Sequence, residues 1–107
     1  MQVIKWFDYA SFEQVITLSN ATYNLVCSWN GRGLFWSVSL YTSDDKPLVV
    51  GKQLTIGLNI LANIYDEDKP KGAIIAVSIA NNTQEITRDN MGNDVKLIFV
   101  SDDELLL

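Results

Sequence analysis

A chain of 107 residues has the commonest size of a single domain, and 48% hydrophobic content with three Trp, four Tyr and four Phe supplies one core and argues against disorder. A net charge of −5, a pI of about 4.4 and eight scattered Lys and Arg leave no basic stripe, so neither nucleic acid nor an anionic membrane is an expected partner. Histidine is absent and Cys27 is the single cysteine, which excludes a Ser-His-Asp triad, a Cys-His pair, a histidine metal site, an internal disulfide and a cysteine zinc cluster.

The elements read as follows in chain order. Val3 to Phe7 suits a short first strand. Met1 onward shows no charged region followed by an apolar run, so no signal peptide is expected, and no apolar run spans a bilayer. Synthesis and folding in a cytoplasm follow as the simplest expectation. Glu13 to Leu18 is rich in β-branched residues and ends at Ser19-Asn20-Ala21, a turn signal that joins it to the next strand.

Tyr23 to Tyr41 carries the strongest pattern. Tyr23, Leu25, Cys27 and Trp29 alternate with Asn24, Val26 and Ser28, and Trp36, Val38 and Leu40 alternate with Ser37, Ser39 and Tyr41. Strand side chains point to opposite faces at a period of two, so each arm has one apolar face. Asn30-Gly31-Arg32-Gly33 lies between the arms, and Asn-Gly supplies the positive φ of a tight hairpin turn. Cys27, between Leu25 and Trp29, reads as a buried apolar residue, with no adjacent cation or base to activate its thiol.

Ser43-Asp44-Asp45-Lys46-Pro47 is a turn, followed by an extended Leu48-Val49-Val50 to Gly51 and a second extended piece from Gln53 to Ile56. Leu58 to Tyr65 is ambiguous. Leu58, Leu61, Ala62 and Tyr65 fit helical spacing, and a helix of one or two turns stands against a strand or an irregular bend. Asp66 to Gly72 is a charged loop, Ala73 to Ile79 a buried strand, Ala80 to Asn93 polar and partly irregular, and Asp94 to Val100 the last strand. About seven short strands at regular spacing predict an all-β antiparallel barrel or sandwich over residues 1–107, with 101–107 an extended C-terminal tail. A small barrel is preferred because closure removes exposed edges.

Candidate sites are few. Asp66, Glu67 and Asp68 match no calcium loop, and Lys69 and Lys71 neutralise them, so they read as a solvated loop. Asp102-Asp103-Glu104 before three leucines has the form of a sorting signal without the membrane segment it needs. Leu105, Leu106 and Leu107 at the end of the sequence pack either on the domain or on a partner. Nothing singles out a metal, a cofactor or a catalytic pair, and no enzyme activity is expected. A carbohydrate- or oligonucleotide-binding barrel using Trp6, Trp29 and Trp36 as a platform is the alternative, and it requires exposed Trp.

Leu18 through Val100 resembles the small baseplate plug proteins of contractile-tailed phages, the cyanophage baseplate plug family. The pieces that carry the likeness are Tyr23-Asn24-Leu25 to Trp29-Asn30, Trp36 to Leu40-Tyr41, Pro47-Leu48-Val49-Val50-Gly51, Leu58 to Tyr65, Gly72-Ala73-Ile74-Ile75, and Asp89-Asn90-Met91-Gly92 before Val95 to Val100. The triple leucine lies outside that pattern. The resemblance implies a virion structural protein of the tail baseplate. Such a plug binds the central hub and spike at the tube end and closes the tube lumen before contraction. Three-fold self-association would follow the hub's symmetry. Tyr41, Tyr65 and Leu105 to Leu107 are the expected partner contacts.

Overall fold

Strands form where the alternation is strongest. The computed structural model describes residues 1–79 and 85–105. It contains β1 (Gln2–Ile4), β2 (Ser11–Leu18), β3 (Ala21–Asn30), β4 (Phe35–Thr42), β5 (Pro47–Gln53), β6 (Gly72–Ser78), β7 (Val95–Ser101) and one helical turn, α1 (Asp102–Leu105). They make two antiparallel sheets, one in the order β2-β3-β4-β5 and one in the order β1-β7-β6.

Apolar residues at every second position fill the space between the sheets. Leu18, Leu25, Cys27, Trp36, Val38 and Leu40 of the large sheet face Ile74, Ala76, Val95, Leu97 and Phe99 of the small one, and all are buried. This is the layered packing of a sandwich. The β2–β3 turn is Ser19-Asn20, with φ of 50° and 68°, which is the two-residue turn whose twist matches the strands.

Of the two expected architectures, the sandwich is formed and the preferred barrel is not. Between β1 and β2 no ladder exists among the described residues, and the described link is a side-chain one, Gln14 Nε2 donating to the Lys5 carbonyl at 2.8 Å. On the opposite side the chain turns at Gly57 (φ 84°) after β5 and runs beside β6 with isolated bridges only. The sheets therefore stay open, and their edges are handled by other means.

Among the local expectations, one of the alternatives left open for 58–65 is decided and two others are corrected. Residues 58–65 form successive turns and no helix. There the Ile60 N–H donates to the Ile74 carbonyl at 3.0 Å, and Asn59 Oδ1 accepts from Leu61 N and Ile74 N, each at 3.0 Å. The Ile60 amide and the Asn59 side chain are thus spent on β6, and Ile60 and Leu61 are buried. In the β3–β4 turn the left-handed residue is Leu34 (φ 58°), whereas Gly31 is not left-handed. Asn30 Oδ1 instead accepts from Arg32 N at 3.0 Å and Gly33 N at 2.9 Å, an Asx turn that sets the hairpin. Finally, the extended run expected to continue to Ile56 ends as a strand at Gln53, and the strand runs through Gly51. Gly51 (φ 61°) sits at a bulge, and its N–H is taken up by Ser39 Oγ at 2.9 Å.

Replacing Asn59 by Ala strands the Ile74 and Leu61 amides, and we expect a loss of about 1–3 kcal/mol in a urea titration. No loss would show that the 54–60 segment is held by its apolar side chains alone.

Candidate functional site

One end of the sandwich is built on aromatic rings. Trp36 of β4 is fully buried. Trp6 meets it edge-to-face at 4.9 Å between centroids, Trp29 at 5.5 Å and Phe12 at 6.3 Å. Trp6 also packs on Phe12, and Phe12 on Phe7. Edge-to-face pairs of this kind add to simple burial. The loop before β7 closes over the cluster. Trp36 Nε1 donates to the Thr87 carbonyl at 3.2 Å, and the Arg88 guanidinium lies 5.3 Å above the Trp36 ring. Arg88 Nη1 reaches Asp8 Oδ1 at 3.4 Å. Thr87 and Asn90 hold the loop in shape by exchanging backbone-to-side-chain bonds of 2.7 and 3.1 Å. A half-open cleft of about 280 Å³ lies between Trp6, Asp8, Arg88 and Asn93. It has one cation beside two carboxylates and no nucleophile–base pair.

The opposite end is acidic. Lys46 Nζ bridges Asp66 at 2.8 Å and Asp68 at 3.1 Å, and Tyr23 Oη donates to the Asp68 carbonyl at 3.0 Å. The Lys71 carbonyl accepts from Asp102 N at 3.0 Å and from Ser19 Oγ at 3.4 Å. Glu104 accepts from the Met1 ammonium and from Ser101 N. These links gather the 42–46 turn, the 66–71 loop and α1 at one end. Asp44, Asp45, Asp66, Glu67, Asp68, Asp102, Asp103 and Glu104 there face Lys46, Lys69 and Lys71, an excess of five negative charges that equals the whole net charge of −5. Elsewhere five acids and five bases cancel.

Hydrogen bonds from Lys46 and then from the Asp68 amide hold the Asp66 carboxyl below its ordinary 3.8. The same contacts, Asp66 first and Asp68 second, raise Lys46 above 10.5. Burial pushes the Cys27 thiol up to about 12, as its inward position in β3 requires. Burial, with the Asp68 charge second, also raises the Tyr23 hydroxyl. Among the described residues no cluster of His, Cys, Asp and Glu is placed to hold a metal ion.

The residues expected to contact partners fall on different elements. Tyr41 is half-buried on the outer face of the large sheet, opposite Asn24. Tyr65 is 88% exposed on the connection between β5 and β6. Leu105 ends α1, and Leu106 and Leu107 lie outside the described residues. The outer face around Tyr41 carries Asn24, Val26, Ser28, Ser37 and Ser39, with the carboxylates of Glu13 and Asp45 beside Tyr41. No Trp is exposed: Trp6 and Trp29 are half-buried against Trp36, so the platform of the binding-module alternative is absent. Sequence reading missed the Lys46 clamp and the Arg88 lid. Each joins residues 20 to 80 positions apart, and neither leaves a local signal.

Compared with known proteins, the chain matches over residues 1–103 the family model described as cyanophage baseplate Pam3 plug gp18. The chain belongs to this family. No curated protein matches it. Membership makes it a structural component of a phage tail baseplate, part of the virion tail, which associates with other baseplate components. The plug family is a structural class and not a class of enzymes.

Two measurements check this geometry. Removing the Arg88 side chain (Arg88→Ala) uncovers the Trp36 ring, and a red shift of tryptophan emission is expected with the sandwich still folded. The Lys46 bridge stabilises in full above Asp66's unfolded value of 3.8 and below Lys46's unfolded value of 10.5. Its contribution is lost as pH falls through the depressed Asp66 value or rises through the elevated Lys46 value. The Tm of Lys46→Gln should therefore lie below that of the parent at neutral pH and converge with it in strong acid. A gap independent of pH would assign the effect to packing.

Proposed function

We propose that this chain is the plug of a contractile tail baseplate, bound to the central hub and spike at the tube end and closing the tube lumen until contraction. The supporting observation is the family match across residues 1–103, together with a sandwich fold. A sandwich of 33 × 32 × 22 Å, with rings locking one end, blocks a channel by filling it. Rigidity suits that task because no part of the plug has to move for it to hold.

Polarity along the strands gives the plug an orientation. The acidic end repels acidic surfaces and seeks basic ones, which fixes which end faces which neighbour. In this reading Tyr41, Tyr65 and Leu105 to Leu107 lie in contact surfaces, and three copies follow the three-fold hub. Synthesis takes place in the cytoplasm of the bacterial host, before assembly into the tail.

The test is quantitative peptide mass spectrometry on gradient-purified tailed particles. A few copies per particle are expected, far fewer than tube or sheath subunits. Absence from particles that otherwise contain a complete baseplate would overturn the reading.

A further inference from the structure

The two sheets have four edges, and three of them are protected against pairing. β1 is only three residues long. The free side of β6 is occupied by the 54–60 segment, through Gly57 N to the Ala76 carbonyl at 2.9 Å and Ile60 N to the Ile74 carbonyl at 3.0 Å. β5 begins at Pro47, is bent by the Gly51 bulge and carries Lys52. Short strands, covering segments, bulges, proline and lysine are the devices by which sheet edges avoid unwanted partners.

β2 has none of them, and its single charge is Glu13. It is eight residues of unbroken strand without proline, lysine or bulge. Its pairing parity follows from the Ser19-Asn20 turn: Leu18↔Ala21 is the first hydrogen-bonded pair, and Ile16↔Tyr23, Gln14↔Leu25 and Phe12↔Cys27 continue the series. The bond from Trp29 N to the Ala10 carbonyl at 2.7 Å keeps the same parity beyond the strand. The N–H and C=O groups of Ser11, Glu13, Val15 and Thr17 therefore point away from β3. Among the described residues no backbone group meets them. All four residues are exposed, and the apolar Val15 is 68% exposed.

We propose that this edge receives an extended strand of another baseplate protein, which becomes the fifth strand of the large sheet. The inference rests on the baseplate reading above. A row of alternating donors and acceptors with strand spacing is matched by polypeptide and by no small ligand. The local chemistry defines the segment further. A β-branched or aromatic residue fits beside Val15, and the position facing Glu13 carries no carboxylate. A second copy of this chain pairing β2 to β2 would also satisfy these groups, but such a pair is closed by a two-fold axis and does not fit three copies around a three-fold hub.

Hydrogen exchange reads the edge directly. In the free full-length chain the amides of Glu13, Val15 and Thr17 are expected to exchange fast while those of Phe12, Gln14, Ile16 and Leu18 are slow. In purified tail particles the first set should become protected. Val15→Pro removes one outward donor at a site where the strand itself loses no bond, so the free variant folds, and its copies per particle should fall about tenfold. Val15→Thr keeps the donor and should assemble as the parent does. Chain present in particles with those amides still fast, or Val15→Pro assembling at the parental level, overturns the strand addition and leaves the plug reading intact. A free chain that sediments as a dimer with the edge already protected assigns the edge to a second copy and also overturns it. Absence from particles overturns both readings.

Discussion

Burial of one ring, Trp36, ties together the parts of the aromatic end that have no sheet ladder to hold them. Its faces and edges are taken by Trp6 from the β1–β2 connection, Phe12 from β2, Trp29 from β3 and the Arg88 guanidinium from the loop before β7. Its indole N–H satisfies the Thr87 carbonyl, and its own carbonyl accepts from Leu54 N at 2.9 Å where the chain leaves β5. A large residue buried among fixed partners leaves little freedom to collapse if any of them is removed. The irregular segments at that end are thus positioned by packing.

The same arrangement separates two kinds of surface. Neutral, ring-backed loops occupy one end, and the excess charge of the chain is gathered at the other, where Lys46 and the N-terminal ammonium offset only part of it. Exposed bridges of this kind add little to stability and weaken with salt. Their consequence is directional, since an acidic end and a neutral end distinguish one neighbour from another. The outer face of the large sheet is a third kind of surface, and β2 forms its open margin.

Much of this was legible in the chain. The alternations at 23–29 and 36–41 reported the strands, their inward faces and the burial of Cys27, because period-two patterning against a core is local information. The run of motifs from Tyr23 to Val100 reported the family. Segment 58–65 was not legible, since its helical spacing of Leu58, Leu61 and Tyr65 competes with bonds to β6, where the Ile74 carbonyl accepts from Ile60 N and the Ile74 amide donates to Asn59 Oδ1. The β3–β4 turn was placed correctly and explained wrongly: Asn30 acts through its side-chain oxygen, and Leu34 adopts the left-handed conformation. The partner residues read from the sequence, Tyr41, Tyr65 and Leu105 to Leu107, stood out by type; the strand of Tyr41 was legible from its alternation, and Leu106 and Leu107 lie outside the described residues.

By itself, then, the sequence determined seven antiparallel strands, one apolar face on each arm, the absence of histidine-based chemistry and the family. Each of these depends on residue type and short-range spacing. Tertiary structure alone decided that the sheets stay open as a sandwich, that the net charge collects at one end and that β2 is the unprotected edge. Those outcomes depend on which distant backbone groups find one another, and a pattern of period two is the same for a strand that is paired on both sides as for one that is paired on one.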